Sequence, residues 1–449
     1  MSLNILAIIY LGSMVGAIIM GMPIAFSILI SAIITGLCIG GSAANPQIIA
    51  LQLMQGSDSV TLMALPFFIL AGEFMNRGGL TKRIIAFSEI FVGNIRGGHG
   101  YIVIIACLLF SSLVGSAVAS TAALGGILIP MMASAGYTRA KAAGLVAGAN
   151  LMSPIMPPSV PMIIYGAVAG VSVKTLFLGG IAPAVYLAVF TSIAWFFVSR
   201  NDDIRTNKKR PSFKEAFKVF LGGFWALLLP VIILVGLRGG VFTATEAGVI
   251  AVVYAIIAGF VIYRELKPAD FFKALISGAK MSAVVMFLAA AALISAYFLT
   301  ISRIPNAITV SLAPLVSSPM MLNLLLQLAI IVTGLVLDVV PTILIFTPIM
   351  LPLLKAANID LAYFGIVFTL SNVTGLITPP VGPVLNVACA TGDVKMEDII
   401  PAAIPYFIFQ CILVFVFVLF PETITLPLKW LADYNALPMR NIIQVLFGK

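Results

Sequence analysis

The chain has 449 residues, of which 61% are hydrophobic and only 9% are charged, and its formal net charge is +9 at pH 7. Soluble domains carry about 25% charged residues, so this composition excludes a soluble protein and indicates a polytopic membrane protein. The long apolar runs do not alternate polar with apolar residues, which excludes a membrane β-barrel and predicts an all-α fold. No cysteine pair has CxxC spacing and His99 is the single histidine, so we expect neither a metal cluster nor a disulfide framework.

The first predicted elements are two membrane helices at 5–41, separated by a Gly-Met-Pro turn. The N-terminus lacks a basic region and a cleavage site, so we interpret it as a membrane helix and not as a removed signal peptide. A polar stretch runs to about residue 60, and an apolar run at 62–75 follows, with Glu73 near its end. Charged residues at helical spacing in 80–97 then predict a helix lying in the membrane interface.

The apolar run at 101–133 is too long and too interrupted for an ordinary crossing. It is broken by Gly115 and Ser116, and Arg139 and Lys141 follow it at once. A re-entrant helical hairpin that enters and leaves on one side explains both features, because irregular backbone at membrane depth is tolerated only where protein or a cavity surrounds it. The next run predicts a broken transmembrane helix at 140–170, interrupted by four prolines between 154 and 161, and a further crossing at 176–199.

A loop rich in lysine and arginine at 200–213 separates the two halves, and the positive-inside rule places it in the cytoplasm. The second half repeats the plan of the first and ends in a predicted C-terminal tail at 422–449. Its predicted elements are helices at 216–263, an interfacial segment at 267–282, a crossing at 283–300, a hairpin at 322–354, a broken helix at 361–391 and a crossing at 402–421.

An internal repeat relates the two halves. A shift of 222 positions carries residues 112–183 onto 334–405 without a gap, and it aligns the helix breakers, including Pro130 with Pro352 and Asn150 with Asn372. Counting crossings from the basic loop makes the two hairpins open to opposite sides of the membrane. The sequence therefore predicts two inverted repeats, at 1–199 and 214–421, which is the arrangement that lets one central site face each side in turn. A plain bundle with proline kinks is the alternative.

Several motifs resemble the large membrane subunit of tripartite ATP-independent periplasmic (TRAP) transporters. They cover essentially the whole chain in the order expected for that family, although Ser120 and the Ser153-Pro154 pair depart from its common pattern. The motifs are Leu65-Pro66-Phe67-Phe68 with Ala71-Gly72-Glu73, Gly115-Ser116-Ala117-Val118-Ala119, Ile129-Pro130, Met156-Pro157-Pro158-Ser159, Thr243-Ala244-Thr245-Glu246-Ala247, Leu337-Asp338 and Thr378-Pro379-Pro380-Val381-Gly382.

The resemblance implies a sodium-coupled secondary transporter of the elevator type in the bacterial inner membrane. In such a protein a transport domain moves against a scaffold, here helices 5–41 and 216–263. It also implies a small four-helix membrane subunit and a periplasmic substrate-binding protein as partners, sodium as the coupling ion and no other cofactor. The expected substrate is an organic acid, namely a C4-dicarboxylate, a sialic acid or another sugar acid.

Prolines inside the two broken helices free backbone carbonyls, and hydroxyl and amide side chains nearby add oxygen ligands for sodium. The N-termini of the half-helices favour a carboxylate at the same place. Each residue also has a structural alternative, such as a helix cap or a packing contact. The predicted sodium-binding residues are Gly115, Ser116, Asn150, Ser153, Asp338, Thr342, Asn372, Thr374 and Gly375, and the predicted substrate-binding residues are Ser116, Pro158, Ser159, Thr378 and Pro380.

Two other functions are compatible with parts of this pattern. A stand-alone sodium–carboxylate symporter could use a similar inverted repeat without a binding protein. An intramembrane hydrolase could use Ser116 or Ser159 as its nucleophile, but His99 is distant in sequence and neither break contains a lysine. Lys280 lacks the first half of a nucleotide-binding loop, so an ion gradient must drive any active transport.

Overall fold

The computed structural model describes residues 3–40, 45–92, 95–202, 204, 213–305, 310, 312–379, 381–442 and 444. Every regular element within these ranges is helical, as the sequence predicts. Seven of the described helices are long and apolar enough to cross a membrane, and shorter apolar helices lie between them. Most of the predicted basic loop at 200–213 falls outside the described residues.

The first repeat starts with five helices that precede the first hairpin. One of them, Pro46–Ser57, lies within the polar stretch that runs to about residue 60, where the sequence predicts no helix. Asn45 caps this helix by accepting a hydrogen bond from the backbone N–H of Gln47 at 2.9 Å, and Pro46 occupies its first turn. The five helices are Leu3–Ile19, Ile24–Ile39, Pro46–Ser57, Ala64–Arg77 and Leu80–Phe91.

The first hairpin and the first broken helix follow directly. The hairpin consists of Gly98–Ser111 and Ala117–Ser134, and we call residues 112–116 between them the first tip. The broken helix consists of Arg139–Asn150 and Val160–Ala169, and we call residues 151–159 the first break. Val173–Ser199 then crosses the whole membrane.

The second repeat has the same order of elements. Its hairpin surrounds residues 335–338, which we call the second tip, and its broken helix surrounds residues 376–382, which we call the second break. The helices are Phe213–Arg238, Ala244–Ile257 with a π-helical continuation Ala258–Ile262, Pro268–Ser302, Ala313–Val316, the hairpin Pro319–Gly334 and Val339–Ala356, the broken helix Leu361–Gly375 and Pro383–Gly392, and Met396–Leu419.

The shift of 222 positions extends further than the sequence alone reveals. It carries the start of Pro46–Ser57 onto the start of Pro268–Ser302, where proline again occupies the first turn. A single helix of 35 residues in the second half therefore corresponds to two separate helices in the first half. The structure does not separate the predicted interfacial segment at 267–282 from the crossing that follows it, because both belong to this continuous helix, along which Lys273 and Lys280 are exposed.

The two repeats interlock by reciprocal contacts. The second helix of each hairpin packs against the second half of the opposite broken helix, and the first half of each broken helix packs against the last crossing of the other repeat. Another pair of contacts follows the same exchange. Ala64–Arg77 packs on Ala244–Ile257, and correspondingly Pro268–Ser302 packs on Ile24–Ile39. The fold is thus a pair of inverted repeats around one shared core of apolar side chains.

Part of the predicted C-terminal tail is ordered structure. Helix Glu422–Ala432 packs on Val173–Ser199 through buried Ile424 and Leu428. Beyond it, the Tyr434 hydroxyl and the Leu437 N–H each donate to Asp360 Oδ2 at 3.0 Å, while Asp360 Oδ1 caps Leu361–Gly375. The tail is therefore hydrogen-bonded to the residue that begins the second broken helix.

Candidate functional site

The two hairpin tips present equivalent side chains. Ser116 and Asp338 correspond under the shift of 222 positions, and each caps the second helix of its hairpin. Ser116 Oγ accepts from the N–H of Ala119 at 3.4 Å, and Asp338 Oδ1 accepts from the N–H of Val339 at 2.8 Å. Ser116 and Asp338 thus stabilise the tips as helix caps, and they are also polar groups that lie at the tips.

Glycines allow each hairpin to contact the adjacent broken helix. A Cβ on Gly115 would lie 2.8 Å from the backbone nitrogen of Val160, so the first tip lies directly on the first break. A Cβ on Gly375 would lie 2.3 Å from the carbonyl oxygen of Ile331 and 2.7 Å from the Cα of Gly334. Both predicted glycines therefore stand at places where backbones meet, which is the packing role the sequence analysis left open.

Both tips and the first break line one cavity of about 280 Å³. This size is near the lower end of ligand pockets, which range over about 300–1,000 Å³. Helices Ala64–Arg77 and Pro268–Ser302 also contribute to the lining. Of the predicted residues, Gly115, Ser116, Pro158 and Asp338 line this cavity.

Three half-helices point their N-termini at this cavity. The helices beginning at Ala117, Val160 and Val339 each start at or beside a residue of the lining. Backbone N–H groups at a helix start have no partner within the helix, and they favour a negative charge. The cavity therefore offers a place for one carboxylate beside the tips.

Asn150 and Asn372 are equivalent in the two repeats, and both are fully buried. Each uses its amide nitrogen in a hydrogen bond: Asn150 Nδ2 donates to Val146 O at 2.9 Å, and Asn372 Nδ2 donates to Thr342 Oγ1 at 3.0 Å. The Oδ1 atom of each is buried without any hydrogen-bond partner among the described residues. A buried acceptor left unsatisfied is costly, and an oxygen atom is the ligand type that a hard cation prefers. These two atoms fit sodium.

A cluster of serine hydroxyls surrounds the predicted residue Ser153. Its Oγ lies 2.7 Å from Ser120 Oγ and 3.1 Å from Ser111 Oγ. Ser120 and Ser111 were not among the predicted site residues. Both carry a signal in the sequence, because the shift of 222 positions carries Ser120 onto Thr342 and Ser111 onto Thr333.

The remaining predicted hydroxyls bond to their own backbone. Thr374 Oγ1 donates to Leu370 O at 2.8 Å, Thr378 Oγ1 donates to Thr374 O at 3.2 Å, and Thr342 Oγ1 donates to Asp338 O at 2.9 Å. Ser159 is fully buried; it caps the helix at Val160 and donates to Pro154 O. Ser159 and Thr378 do not line the cavity, and Pro380 lies outside the described residues.

Two polar residues of the cavity wall were missed as site residues. Glu73 and Asn76 lie on helix Ala64–Arg77 and also line the cavity. Glu73 Oε2 lies 3.3 Å from Arg77 Nε, one turn further along the same helix. In the sequence alone, the position of Glu73 near a helix end favours a scaffold or interface role over a role in the site.

Sequence comparisons with known proteins indicate one family, and a solved structure shares the fold. The family model described as "Tripartite ATP-independent periplasmic transporter, DctM component" matches residues 11–423. A putative TRAP transporter large permease protein of Haemophilus influenzae is 44% identical, and the 2,3-diketo-L-gulonate TRAP transporter large permease protein of Escherichia coli is 43% identical; each match covers 94% of this chain and 99% of the relative. The YdaH transporter of Alcanivorax borkumensis shares the fold with a TM-score of 0.61 at 15% identity, over 88% of this chain and 90% of that one.

Proposed function

Because this chain belongs to the family of the DctM component of tripartite ATP-independent periplasmic transporters, we propose that it carries a small organic acid across the bacterial inner membrane together with sodium. Family membership makes the chain a multi-pass transporter permease of that membrane and not an enzyme. Relatives are named for 2,3-diketo-L-gulonate, C4-dicarboxylate and sialic acid, and all of these are organic acids.

The observation that carries the sodium part is the pair of unsatisfied amide oxygens of Asn150 and Asn372. Two buried acceptors at equivalent positions of the two broken helices would be costly in a protein that bound nothing there. A sodium ion at each would supply the missing interaction. The acid would occupy the adjacent cavity, where half-helix N-termini meet its carboxylate.

The proposed transport requires two partner proteins. One is the small membrane subunit, and the other is a periplasmic binding protein that delivers the acid. Support for both comes from the family, which is that of a tripartite transporter. The stand-alone symporter remains the rival, and it differs in needing neither partner.

Uptake into proteoliposomes tests this function. The permease, reconstituted with its small subunit and supplied with its binding protein, should accumulate acid only when sodium is higher outside. Full uptake in potassium alone would refute sodium coupling. Full uptake without the binding protein would refute the tripartite arrangement and favour the stand-alone symporter.

The proposed movement is an elevator in which hairpins and broken helices travel as one body past the other helices. The cavity lies between these two sets of helices, so sliding would carry it from one side to the other. The contact of Gly72 with Val114 offers a test, because a Cβ on Gly72 would lie 3.9 Å from Val114 Cγ2 across that boundary. Cysteines at Gly72 and Val114, in a chain without its four native cysteines, should crosslink and stop uptake until they are reduced.

A matched pair within the moving body provides the control. A Cβ on Gly125 would lie 3.3 Å from Thr391 Cβ, and this contact joins the first hairpin to the second broken helix. Cysteines at these two positions should also crosslink, but uptake should continue because both ends move together. If the Gly72–Val114 crosslink forms fully and uptake continues, the elevator movement is refuted.

A further inference from the structure

We propose that Lys174, Arg238 and the C-terminal helix Glu422–Ala432 form a clasp that holds the moving body against the scaffold in the orientation seen here. The proposal rests on the proposed elevator movement and adds to it a contact that must open whenever the body moves. The match to the family model ends at residue 423. Most of the C-terminal helix therefore lies outside the pattern by which the family is recognised.

The clasp lies at the extracytoplasmic ends of two crossing helices. Val173–Ser199 ends and Phe213–Arg238 begins at the basic loop, which the positive-inside rule places in the cytoplasm. Lys174 and Arg238 therefore lie on the opposite side of the membrane. The C-terminal helix reaches the same side, because its residue Trp430 contacts Arg238.

Val173–Ser199 belongs with the moving body, because two of its glycines bring it directly onto the broken helices. A Cβ on Gly180 would lie 2.4 Å from the carbonyl oxygen of Ile155 in the first break. A Cβ on Gly179 would lie 2.7 Å from Ile366 Cδ1 in the second broken helix. Groups packed this closely leave no room for sliding, so in the proposed movement this helix travels with the broken helices.

The C-terminal helix is attached to the same body. Its side chains Ile424 and Leu428 are fully buried where it packs on Val173–Ser199. Leu428 Cδ2 lies 2.5 Å from the position of a Cβ on Gly179. Beyond the helix, the tail is hydrogen-bonded to Asp360 at the start of the second broken helix. The C-terminal helix therefore also travels with the body.

Two reciprocal hydrogen bonds join this body to the scaffold. Arg238, the last residue of the scaffold helix Phe213–Arg238, donates from Nη2 to the Trp430 carbonyl oxygen at 3.1 Å. Lys174 Nζ donates to the carbonyl oxygen of Arg238, also at 3.1 Å. Both acceptors lie in the last turn of a helix, where carbonyl groups have no partner within the helix and carry a partial negative charge. Each helix end is thus paired with a cation from the other side of the boundary.

The two hydrogen bonds cross the boundary along which the body slides in the proposed movement. A hydrogen bond from nitrogen to oxygen needs a separation of about 2.7–3.2 Å, so a displacement of a few ångströms breaks both. Hydrogen bonds to water must replace them before the body leaves this orientation. The clasp therefore favours the orientation seen here and slows departure from it.

Spin labels on the scaffold and on the body measure this preference. In a chain without its four native cysteines, one label is attached at Met20, in the turn between the first two scaffold helices, and the other at Lys395, after the second broken helix. Both positions are exposed. Pulsed electron paramagnetic resonance on the purified complex of the permease and its small subunit then gives the distances between the labels and the population at each distance.

Removal of both side-chain donors should change these populations. We expect the double variant Lys174→Ala/Arg238→Ala to shift their ratio by about threefold or more away from the orientation seen here, because each lost hydrogen bond contributes modestly and the two act together. Each single variant should shift the ratio in the same direction by a smaller factor.

Two controls separate the clasp from a general effect of charge. Lys429→Ala removes an exposed cation from the C-terminal helix but takes away neither hydrogen bond of the clasp, so it should leave the ratio unchanged. Labels at Lys355 and Lys395, which are exposed and both lie on the moving body, should keep the same distance in every variant.

An unchanged ratio in the double variant would overturn the proposal, and so would an equal shift in Lys429→Ala. The measurement needs neither substrate nor a sodium gradient, so its failure would refute the clasp and leave the proposed uptake standing. A Gly72–Val114 crosslink that forms fully while uptake continues would instead refute the elevator movement and the clasp together.

Discussion

Alanine substitution of Asn150 or Asn372 should weaken the response of the protein to sodium more than it weakens the fold. Each side chain offers one buried Oδ1 atom that has no other partner among the described residues. Removing one ligand from a buried ion should cost on the order of 1–3 kcal/mol, which is the cost of leaving a buried polar group unsatisfied. That free energy corresponds to a roughly 5- to 150-fold rise in the sodium concentration for half-saturation.

Thermal unfolding of the detergent-solubilised complex, titrated with sodium against a potassium background, measures this quantity. Sodium that binds only the folded state stabilises it by about 2.7 kcal/mol at a concentration of 100 times its dissociation constant. The unmodified chain should therefore gain stability with sodium, and each variant should need a higher concentration to gain the same amount.

Asn323 supplies the control, because it is an equally buried asparagine whose amide is fully used. Its Nδ2 donates to the Tyr363 hydroxyl at 3.1 Å, and its Oδ1 accepts from Gln327 at 3.0 Å. Asn323→Ala should lower stability equally in sodium and in potassium. An unchanged sodium half-saturation in both Asn150→Ala and Asn372→Ala would remove these residues from the ion sites and refute the reasoning.

Two further substitutions test how the site is held together. Gly375→Ala should lower stability by about 1–3 kcal/mol, because its Cβ would lie 2.3 Å from the Ile331 carbonyl oxygen. Gly126→Ala, a helix-interior glycine with open space around it, should not lower stability in the same denaturation assay and should raise it by up to about 1 kcal/mol. Asp360→Ala should lower the free energy of unfolding by about 0.5–2 kcal/mol, because the helix cap is lost. It should also expose the C-terminal tail to limited proteolysis, because the Tyr434 hydroxyl loses its acceptor. A tail that stays resistant to proteolysis would contradict this prediction.

The breaks of the two crossing helices could be predicted from the sequence because proline acts locally. It removes a backbone donor and disrupts the helix wherever it stands, so the breaks near Pro158 and Pro379 needed no knowledge of packing. The repeat shift alone also gives the equivalence of Asn150 and Asn372. The same shift pairs Ser120 with Thr342 and Ser111 with Thr333, so hydroxyl residues carry the repeat signal as the helix breakers do.

The part of the cavity lined by helix Ala64–Arg77 could not be predicted in this way. Hydrophobic periodicity separates the polar face of this helix from its apolar face, but it does not reveal whether the polar face meets water, the membrane interface or a cavity. Glu73 therefore resembles an ordinary charge near a helix end. The continuous helix Pro268–Ser302 is hidden for a related reason, because Lys273 and Lys280 in the sequence alone indicate an interfacial segment.

The two halves share a backbone plan, yet they differ in the chemistry of their equivalent residues, and this difference bears on how the site operates. The serine cap of the first tip, Ser116, corresponds to a carboxyl cap in the second, Asp338. Where the first half uses the hydroxyl of Ser153 in a cluster of serines, the second uses Gly375 to bring two backbones together. A tip capped by a neutral hydroxyl and a tip capped by a carboxyl group cannot respond identically to the arrival of a cation. The carboxyl-capped tip gains more from a nearby cation because a carboxyl group at membrane depth is costly when it stands alone. In the proposed transport, where sodium binds near the tips and the hairpins act as gates, sodium should therefore hold the second hairpin closed more strongly than the first, and the side chains at the tips make the two gates unequal.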